Sequence, residues 1–249
     1  MALRNRKSLR LTAAVRIAAA VALFLAAYAA CAQGLSVLPV NVFLPPGQKA
    51  ASLTLTNDGD KPTSMQVRAY DWSQKNDEDQ LTDSKIVVVS PPLFTIPPKG
   101  TQVVRLILRR PPTGGEATYR IVLDQIPGPK EPGEVQMVLR LSIPIFAAPE
   151  TKAAPQDQFR LERNGEQLFL VGVNTGKSHD TLHDIVVTAA DGRQFRLKAK
   201  VSPYLLAGAT RRWELDAQGH APQPGETLKL TAHGIVGPID VQVSVAATP

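Results

Sequence analysis

Two histidines and two aspartates in one short stretch are the residues of this chain best suited to metal chemistry. His179 and His183 are separated by three residues, and Asp180 and Asp184 directly follow them. On a helix, this spacing would place both imidazoles on one face, where they could bind zinc. The stretch 176–184 is polar and precedes a strand-like segment, so a solvated loop is favoured and no metal is expected. A secreted metal-dependent enzyme using the two histidines remains the alternative.

Other motifs of catalysis or cofactor binding are absent from the sequence. It contains no Gly-x-Ser-x-Gly nucleophile elbow, no His-Glu-x-x-His zinc motif and no phosphate-binding glycine-rich loop. The acidic stretch 76–79 lacks the spacing of a calcium loop and is predicted to end a soluble hairpin. The sequence therefore gives no support for catalysis, and we expect neither an enzyme nor a cofactor.

The first 32 residues differ in composition from all that follow. They contain five of the 28 basic residues and none of the 22 acidic ones, and residues 17–32 are uncharged and rich in Ala and Leu. A positive head, a short apolar run and the ending Ala30-Cys31-Ala32 are typical of a secretory signal peptide. Residues 1–32 are therefore predicted to be removed after export, which leaves no stable membrane insertion. Lipidation of Cys31 stays open, although Tyr28 stands where lipoprotein signals usually carry Leu.

Without this segment the chain is nearly neutral and has no cysteine. It keeps 23 basic residues against 22 acidic ones, a balance that argues against a nucleic-acid partner. An exported chain without cysteine forms no disulfide, so packing alone must hold the fold. Its length suits two domains of roughly 100 residues each.

Proline usage and apolar alternation predict an all-β protein. All 21 prolines follow the signal segment, and they exclude long helices between residues 39 and 155. Between them, apolar residues recur at every second position, which is the period of a half-buried strand. The predicted strands of the first half are residues 35–44, 50–56, 64–71, 85–90, 101–109, 117–125 and 134–146.

Seven short strands in this length are typical of an immunoglobulin-like β-sandwich. A further set lies near residues 158–163, 167–173, 184–190, 194–200, 210–215, 227–233 and 239–245. The sequence thus predicts two immunoglobulin-like domains after the signal peptide, at residues 33–147 and 156–249, joined by a proline-containing linker at 148–155.

One predicted strand, near residues 135–146, is unusually long and apolar on one face. Its alternating set is Val135, Met137, Leu139, Leu141, Ile143 and Ile145. Pro144 near its end is tolerated on a sheet edge and not in a sheet centre. A long apolar edge strand promotes aggregation unless a partner covers it. On the alternation alone an ordinary core strand is the better interpretation, and strand addition to a partner is the other.

Several segments of the chain match the pattern of a known family. They are Leu53-Thr54-Leu55-Thr56-Asn57, the double-proline stretch 91–100 leading into Val103-Val104-Arg105-Leu106, residues 119–127, and Ile145-Phe146-Ala147-Ala148-Pro149. With these segments, the chain resembles the periplasmic chaperones of the chaperone–usher pilus pathway over residues 35–245. The resemblance favours strand addition as the interpretation of the long strand. It implies a periplasmic protein whose partners are pilus subunits and an outer-membrane usher.

In that family, the last strand of the first domain lends apolar side chains to a subunit whose own sandwich lacks its final strand. By position, the resemblance implies that Val135, Met137 and Leu139 are the donors, continuing to Leu141 and Ile143. Each buried side chain of this size contributes roughly 1.5–3 kcal/mol. The donors together would therefore outweigh a single ion pair in holding a subunit.

The chain departs from the family at the residues that bind the subunit's terminal carboxylate. Asn41 and Pro144 align with the usual Arg and Lys, so that anchor is absent. A carboxylate still needs a cation or backbone donors. Arg120, which interrupts an apolar stretch, is the favoured replacement, and Arg105 is a second candidate that we expect to be structural. A solvent-facing, purely structural Arg120 remains equally open.

A further departure concerns the charged contact between the domains. Gln125 and Ala148 stand where the family pairs an acid with an Arg, so this contact is expected to be missing. Both departures indicate the divergent, archaic branch associated with spore-coat-U-like subunits.

The sequence as a whole predicts a periplasmic, non-enzymatic chaperone that captures exported subunits by strand addition and passes them to an usher. The alternative is an exported structural or adhesive β-sandwich module that self-associates through the same edge strand.

Overall fold

The computed structural model of the chain describes residues 34–129, 133, 137–199, 202–217, 219 and 221–247. The predicted signal peptide, residues 1–32, and the predicted donor Val135 lie outside the described residues. The part of the chain that is described folds entirely into strands, turns and connecting segments. It includes no helix with the length and apolar character needed to cross a membrane.

The first domain is a sandwich of two sheets. Its strands are β1 (Leu35–Leu38), β2 (Val42–Leu44), β3 (Ala50–Asn57), β4 (Thr63–Lys75), β5 (Glu78–Asp83), β6 (Val87–Ser90), β7 (Leu93–Ile96), β8 (Thr101–Leu108), β9 (Ala117–Ile126) and β10 (Arg140–Ala147). One sheet has the order β1-β3-β8-β6, and the other has the order β2-β10-β9-β4-β5 with β7 also on β4. This second sheet carries β10, which is shorter than the predicted strand 134–146: it begins at Arg140, and residues 137–139 precede it without strand structure.

The alternating apolar residues of both sheets meet in the core of this sandwich. Leu53 and Val104 come from one sheet, and Met65, Ile121 and Ile145 come from the other; all five are fully buried. Because side chains alternate across a strand, the intervening residues of β3 and β8 face outward. The all-β fold expected from the alternation is thus confirmed.

Several details of the first domain differ from the expected strands, among them the unpredicted strand β7. The predicted strand 35–44 is two strands in different sheets, β1 on β3 and β2 on β10. The chain changes sheet at residues 39–41, where Pro39 has no N–H to continue a ladder. The acidic stretch ends a hairpin as expected, since Asn76 and Asp77 form its turn with positive φ, but its second strand β5 was not anticipated.

The second domain is a curled sheet. Its strands are β11 (Asp157–Asn164), β12 (Gln167–Asn174), β13 (Asp180–Thr181), β14 (His183–Thr188), β15 (Gln194–Arg196), β16 (Tyr204–Leu205), β17 (Thr210–Leu215), β18 (Thr227–Gly234) and β19 (Gly237–Ala247). The main sheet has the order β15-β14-β18-β19-β11-β12-β17, and β13 pairs with β16. A bridge from Leu197 to Leu215 joins the sheet's two ends around the core.

The two domains share packed side chains. Trp72 of β4 and Phe146 of β10 are buried in the core of the second domain, beside Leu205 and Trp213. Tyr204 packs edge-on against Trp72, with ring centroids 5.3 Å apart. The outer face of the sheet that carries β10 is therefore partly covered by the second domain.

Candidate functional site

Strand β10 has one open edge over most of its length. It pairs with β9 along all eight residues, from Arg140 opposite Asp124 to Ala147 opposite Ala117. On its other side, β2 pairs only with residues 145–147. Within the described residues, no strand lies beside residues 140–144 on that side. These residues present backbone groups to solvent or to a partner.

Two hydrogen bonds establish which backbone groups face the open edge. The carbonyl of Leu139 accepts the Gln125 N–H at 2.9 Å, and the Ala148 N–H donates to the Leu44 carbonyl at 2.9 Å. Because N–H and C=O groups alternate in direction along a strand, odd-numbered residues face β9 and even-numbered residues face outward. Arg140 and Ser142 therefore point their backbone groups to the open edge. The ring nitrogen of Pro144 is directed there too, which is where a sheet tolerates proline.

The predicted donor side chains fall into two groups. Met137 and Leu139 precede the strand and are 85% and 40% exposed. Leu141 is half-buried against the core of the first domain, and Ile143 is buried in it. Among the described donors, the exposed apolar surface thus belongs to the residues just before β10. The donors within β10 stabilise the first domain itself.

A polar contact holds the backbone at the start of this strand. Gln125 of β9 donates its N–H to the Leu139 carbonyl, and its side-chain Oε1 accepts the Leu139 N–H at 3.2 Å. Through Gln125, the pairing of β9 thus continues to Leu139, the residue that precedes β10. This contact fixes the position from which Met137 and Leu139 project.

Arg120, the favoured anchor, lies on β9 opposite Pro144 and faces the second domain. Its guanidinium carbon is 3.7 Å from the Trp72 ring centroid and 5.2 Å from that of Tyr204. Its Nη2 is 3.8 Å from Asp79 Oδ2. Burial lowers the pKa of Arg120, and the nearby Asp79 charge acts in the opposite direction. The guanidinium is therefore close to β10 and already has partners.

The other residues considered for the anchor lie elsewhere. Arg105 is exposed on β8, in the sheet that does not contain β10. Asn41 is exposed just before β2, and Pro144 is buried within β10. Of the two arginines, the fold brings only Arg120 next to the candidate strand.

A charged contact between the domains is present, made by residues other than those expected. Asp79 Oδ1 is 3.1 Å from Arg211 Nη1 of β17. Beside it, Gln74 donates to the Tyr204 carbonyl and accepts the Leu206 N–H, both at 3.0 Å. The expected loss of the family's contact concerned positions 125 and 148, which carry the uncharged Gln125 and Ala148, and the pair of Asp79 and Arg211 is a separate contact. Asp79 and Arg211 are too far apart in sequence for their pairing to be inferred.

The two histidines of the metal hypothesis have different surroundings. His179 stacks on Phe146 with ring centroids 3.5 Å apart, and its Nδ1 is 2.6 Å from Glu116 Oε2. His183 is exposed on β14, opposite His233 of β18. No group of three or more metal-ligating side chains occurs in the described ranges. His179 is thus part of the contact between the domains.

A cavity of about 550 Å³ opens between the domains near β2. Its apolar lining includes Phe43, Pro46, Pro149, Ile235 and Val236. Ile235 and Val236 form the tip of the hairpin between β18 and β19. We did not anticipate this feature from the sequence, although two large apolar residues between glycines in a turn were a usable signal.

Comparison with known proteins identifies the class to which this architecture belongs. Residues 34–153 match the family model of pili and flagellar-assembly chaperones, PapD N-terminal domain. Among curated proteins, none matches the chain's sequence. The structural comparisons all concern the fold, because each identity is below 25%.

Three solved structures illustrate the likeness. The first is the CsuC–CsuE chaperone–tip adhesion subunit pre-assembly complex from archaic chaperone–usher Csu pili of Acinetobacter baumannii, with 21% identity, a TM-score of 0.65, and 87% of this chain and 100% of that chain covered. The second is the E. coli chaperone DraB, with 20% identity, a TM-score of 0.53, and 87% and 97% covered. The third is the Salmonella enterica SafA pilin in complex with the SafB chaperone. Its identity is 16% and its TM-score is 0.57, and the match covers 86% of this chain and 98% of that chain.

The fold is that of the two-domain β-sandwich pilus chaperones. Residues 34–153 belong to the family of pilus-assembly chaperones, which is a family of chaperones and not of enzymes. Members of the chaperone–usher family are periplasmic.

Proposed function

We propose that this chain is a periplasmic chaperone that binds pilus subunits through β10 and delivers them to an outer-membrane usher. The observation that carries the proposal is the open edge at residues 140–144, preceded by exposed Met137 and Leu139. Two of the similar structures, the CsuC–CsuE and SafA–SafB complexes, contain a chaperone together with a subunit, which supports a subunit as the partner.

Strand addition explains why an exported protein keeps such an edge. The outward N–H and C=O groups of Arg140 and Ser142 can pair with a strand of the subunit, and apolar side chains next to them add affinity. A subunit that lacks its last strand exposes its core, so an apolar side chain that fills it contributes roughly 1.5–3 kcal/mol. We assign this role to Met137 and Leu139 and, outside the described residues, to Val135.

The end of the predicted donor set has a second role. Leu141 and Ile143 pack into the first domain's own core, so they position the edge for the subunit. Their replacement by polar residues would destabilise the chaperone itself. The direct contribution to a subunit is therefore concentrated before Arg140.

Arg120 is the candidate that we retain for a subunit carboxylate. It lies opposite Pro144 on the strand next to β10, and a carboxylate reaching it would compete with Asp79. Arg105 belongs to the other sheet of the sandwich, so we assign it a structural role. Strand exchange is driven by better packing in the final pilus, so we expect no nucleotide or other cofactor.

Co-expression tests the proposal. The chain is produced with the small exported proteins encoded beside its gene, and the material that co-purifies is identified by mass spectrometry. The double variant Met137→Asp and Leu139→Asp should lose the co-purifying subunit while its thermal unfolding is unchanged, because both side chains are exposed.

The matched control carries the same change on the other sheet. Val103→Asp and Ile107→Asp alter two exposed apolar residues of β8 and should leave the subunit yield unchanged. Retention of the subunit by the Met137 and Leu139 variant would refute strand donation. If the wild-type chain retains no neighbouring protein and instead associates with itself, the alternative of an exported structural module is correct.

A further inference from the structure

We propose that Met137 is a site of reversible oxidation by peroxides, and that its conversion to methionine sulfoxide weakens subunit capture. This inference rests on the proposed function, because Met137 is one of the side chains assigned to the subunit, and it adds regulation to that role. Three features support it: the few sulfur atoms of the chain, the different exposure of its methionines, and the position of Met137 outside both cores.

Sulfur is scarce in this chain. The sequence has one cysteine and three methionines, and two of these residues, Met1 and Cys31, belong to the predicted signal peptide. Met65 and Met137 are the two that follow it. Because thiols and thioethers are the side-chain groups that step through the oxidation states of sulfur, oxidation of the exported chain at sulfur has two candidate positions.

The two methionines differ in their exposure to solvent. Met65 of β4 is buried in the core of the first domain and is 0% exposed, whereas Met137 is 85% exposed. The oxidation of a sulfur atom depends on the access of the oxidant to it. Met137 should therefore react first, and Met65 is an internal reference within the same molecule.

The reaction transfers one oxygen atom and two electrons. A lone pair of Met137 Sδ attacks one oxygen of hydrogen peroxide, so that an S–O bond forms and the O–O bond breaks. The departing hydroxide takes the proton of the oxygen now bound to sulfur and leaves as water. Sulfur is oxidised and the peroxide is reduced. A methionine sulfoxide reductase reverses the change: two thiols become a disulfide, and the sulfoxide oxygen leaves as water.

The oxidised side chain does not suit the role assigned to Met137. A thioether is apolar and adapts its shape to a cleft, whereas a sulfoxide carries a polar oxygen that accepts hydrogen bonds. In the exposed core of a subunit, this oxygen would be buried without a donor, which disfavours binding.

The same change should leave the chaperone folded. Among the described residues, Met137 packs into neither of the two cores. The backbone contacts between Gln125 and Leu139 that hold this segment do not involve the Met137 side chain. Oxidation therefore acts on binding and not on folding. A subunit bound over Met137 would shield the sulfur, so the unoccupied chaperone is the form that peroxide modifies.

The test uses the full-length chaperone, hydrogen peroxide as the oxidant, and the subunit that co-purifies with the wild-type chain. The free chaperone is treated, the peroxide is removed, and denatured subunit is added. Peptide mass spectrometry should find one added oxygen on Met137 at a rate at least about tenfold higher than on Met65. The oxidised chaperone should bind the subunit roughly tenfold more weakly, with unchanged thermal unfolding. Methionine sulfoxide reductases with a dithiol should restore binding.

The matched variant is Met137→Leu, which keeps an apolar side chain and removes the sulfur. Its binding is compared before and after peroxide, and the treatment should not change it. An equal loss in this variant would assign the effect to another residue and refute the inference. Wild-type binding that survives oxidation of Met137, or a Met137 that reacts no faster than Met65, would also refute it and leave strand donation intact. If untreated wild-type chaperone binds no subunit, both the oxidation switch and the proposed function are refuted.

Discussion

Two carboxyl groups in the second domain share a buried site. Asp157 lies at the start of β11, and its Oδ1 is buried without a hydrogen-bond partner in the described part of the chain. Burial, together with a hydrogen bond and charge repulsion from Asp180, raises the pKa of Asp157 to about 7. Asp180 is also the residue whose Oδ1 accepts the Ile235 N–H at the hairpin tip.

The raised pKa predicts a pH dependence of stability. The folded chain keeps the Asp157 proton where the unfolded chain has lost it, so the free energy of unfolding falls as the pH rises from about 4 to about 7. Asp157→Asn removes this part of the fall. We compare the free energy of unfolding of the variant with that of wild type. After allowance for solvent screening, this difference should favour the variant by about 1–2 kcal/mol more at pH 8 than at pH 4.

Denaturant unfolding of both proteins at a series of pH values measures this difference. Asp184→Asn is the matched control, because both its carboxylate and the His233 ring beside it are exposed. It should follow the wild-type pH profile. Parallel pH profiles for Asp157→Asn and wild type would contradict the buried carboxyl pair. Sequence reasoning could not find this pair, because Asp157 and Asp180 are 23 positions apart and only the fold brings them together.

Among the elements, β10 differs from its neighbours because its two edges have different partners. The edge toward β9 is paired throughout, and the other is open at residues 140–144. Ser142 directs its N–H to the open edge, by the alternation described above. A substitution that removes this N–H should therefore weaken partner binding without weakening the fold.

Ser142→Pro removes one donor that an added strand would use and leaves the ladder with β9 intact. We expect the variant to unfold within about 1 kcal/mol of wild type, since proline is tolerated on a sheet edge, while subunit capture is strongly reduced. Leu141→Pro is the comparison variant. It removes an N–H that faces β9 and should lower stability by about 3 kcal/mol or more.

Both quantities can be measured on the same preparations, by denaturant unfolding and by the yield of co-purified subunit. Full capture by a folded Ser142→Pro variant would show that pairing along this edge is not used. A stable Leu141→Pro variant would show that the directions of the backbone groups are assigned incorrectly.

At this scale, the sequence predicted most of the strands and missed the shorter ones. Alternation located β3, β8 and β9 to within a residue or two, because each has one buried face and one exposed face. It could not find β5, whose residues are all exposed, or β13 and β16, which have two residues each. A strand without a buried face leaves no apolar period to detect.

In the whole molecule, the contact between the domains combines aromatic packing with one shared carboxylate. Asp79 lies within ion-pair distance of Arg120 in the first domain and Arg211 in the second. Both guanidinium groups are largely buried. Removal of Asp79 leaves two buried cations without this partner and also removes an acceptor for Gln74.

Asp79→Ala should therefore lower the free energy of unfolding by about 2 kcal/mol and weaken the coupling between the domains. Calorimetry should show a lower midpoint and a broadened or divided transition. Glu78→Ala is the control, because this neighbour on β5 is exposed, and it should behave like wild type. A single transition at the wild-type midpoint in Asp79→Ala would show that Asp79 is not needed to couple the domains.

The candidate site was accessible to sequence reasoning only in part. The length and alternation of residues 135–146, together with Pro144, indicated an edge strand, and the structure has an open edge at residues 140–144. Alternation does not distinguish apolar side chains buried in the chain's own core from those available to a partner. The predicted donor set therefore includes both the buried Ile143 and the exposed Met137. The cavity combines Phe43 with Ile235, which only the packing of the two domains brings together.

The burial of Phe146 in the second domain has a consequence for the selection of partners. Ile145 is fixed in one core and Phe146 in the other, so β10 cannot slide along its own axis without withdrawing an aromatic ring from the neighbouring domain. The register of β10 is therefore fixed by the chain's own two cores. On the proposed function, the chaperone discriminates between partner strands by whether their side chains match this register.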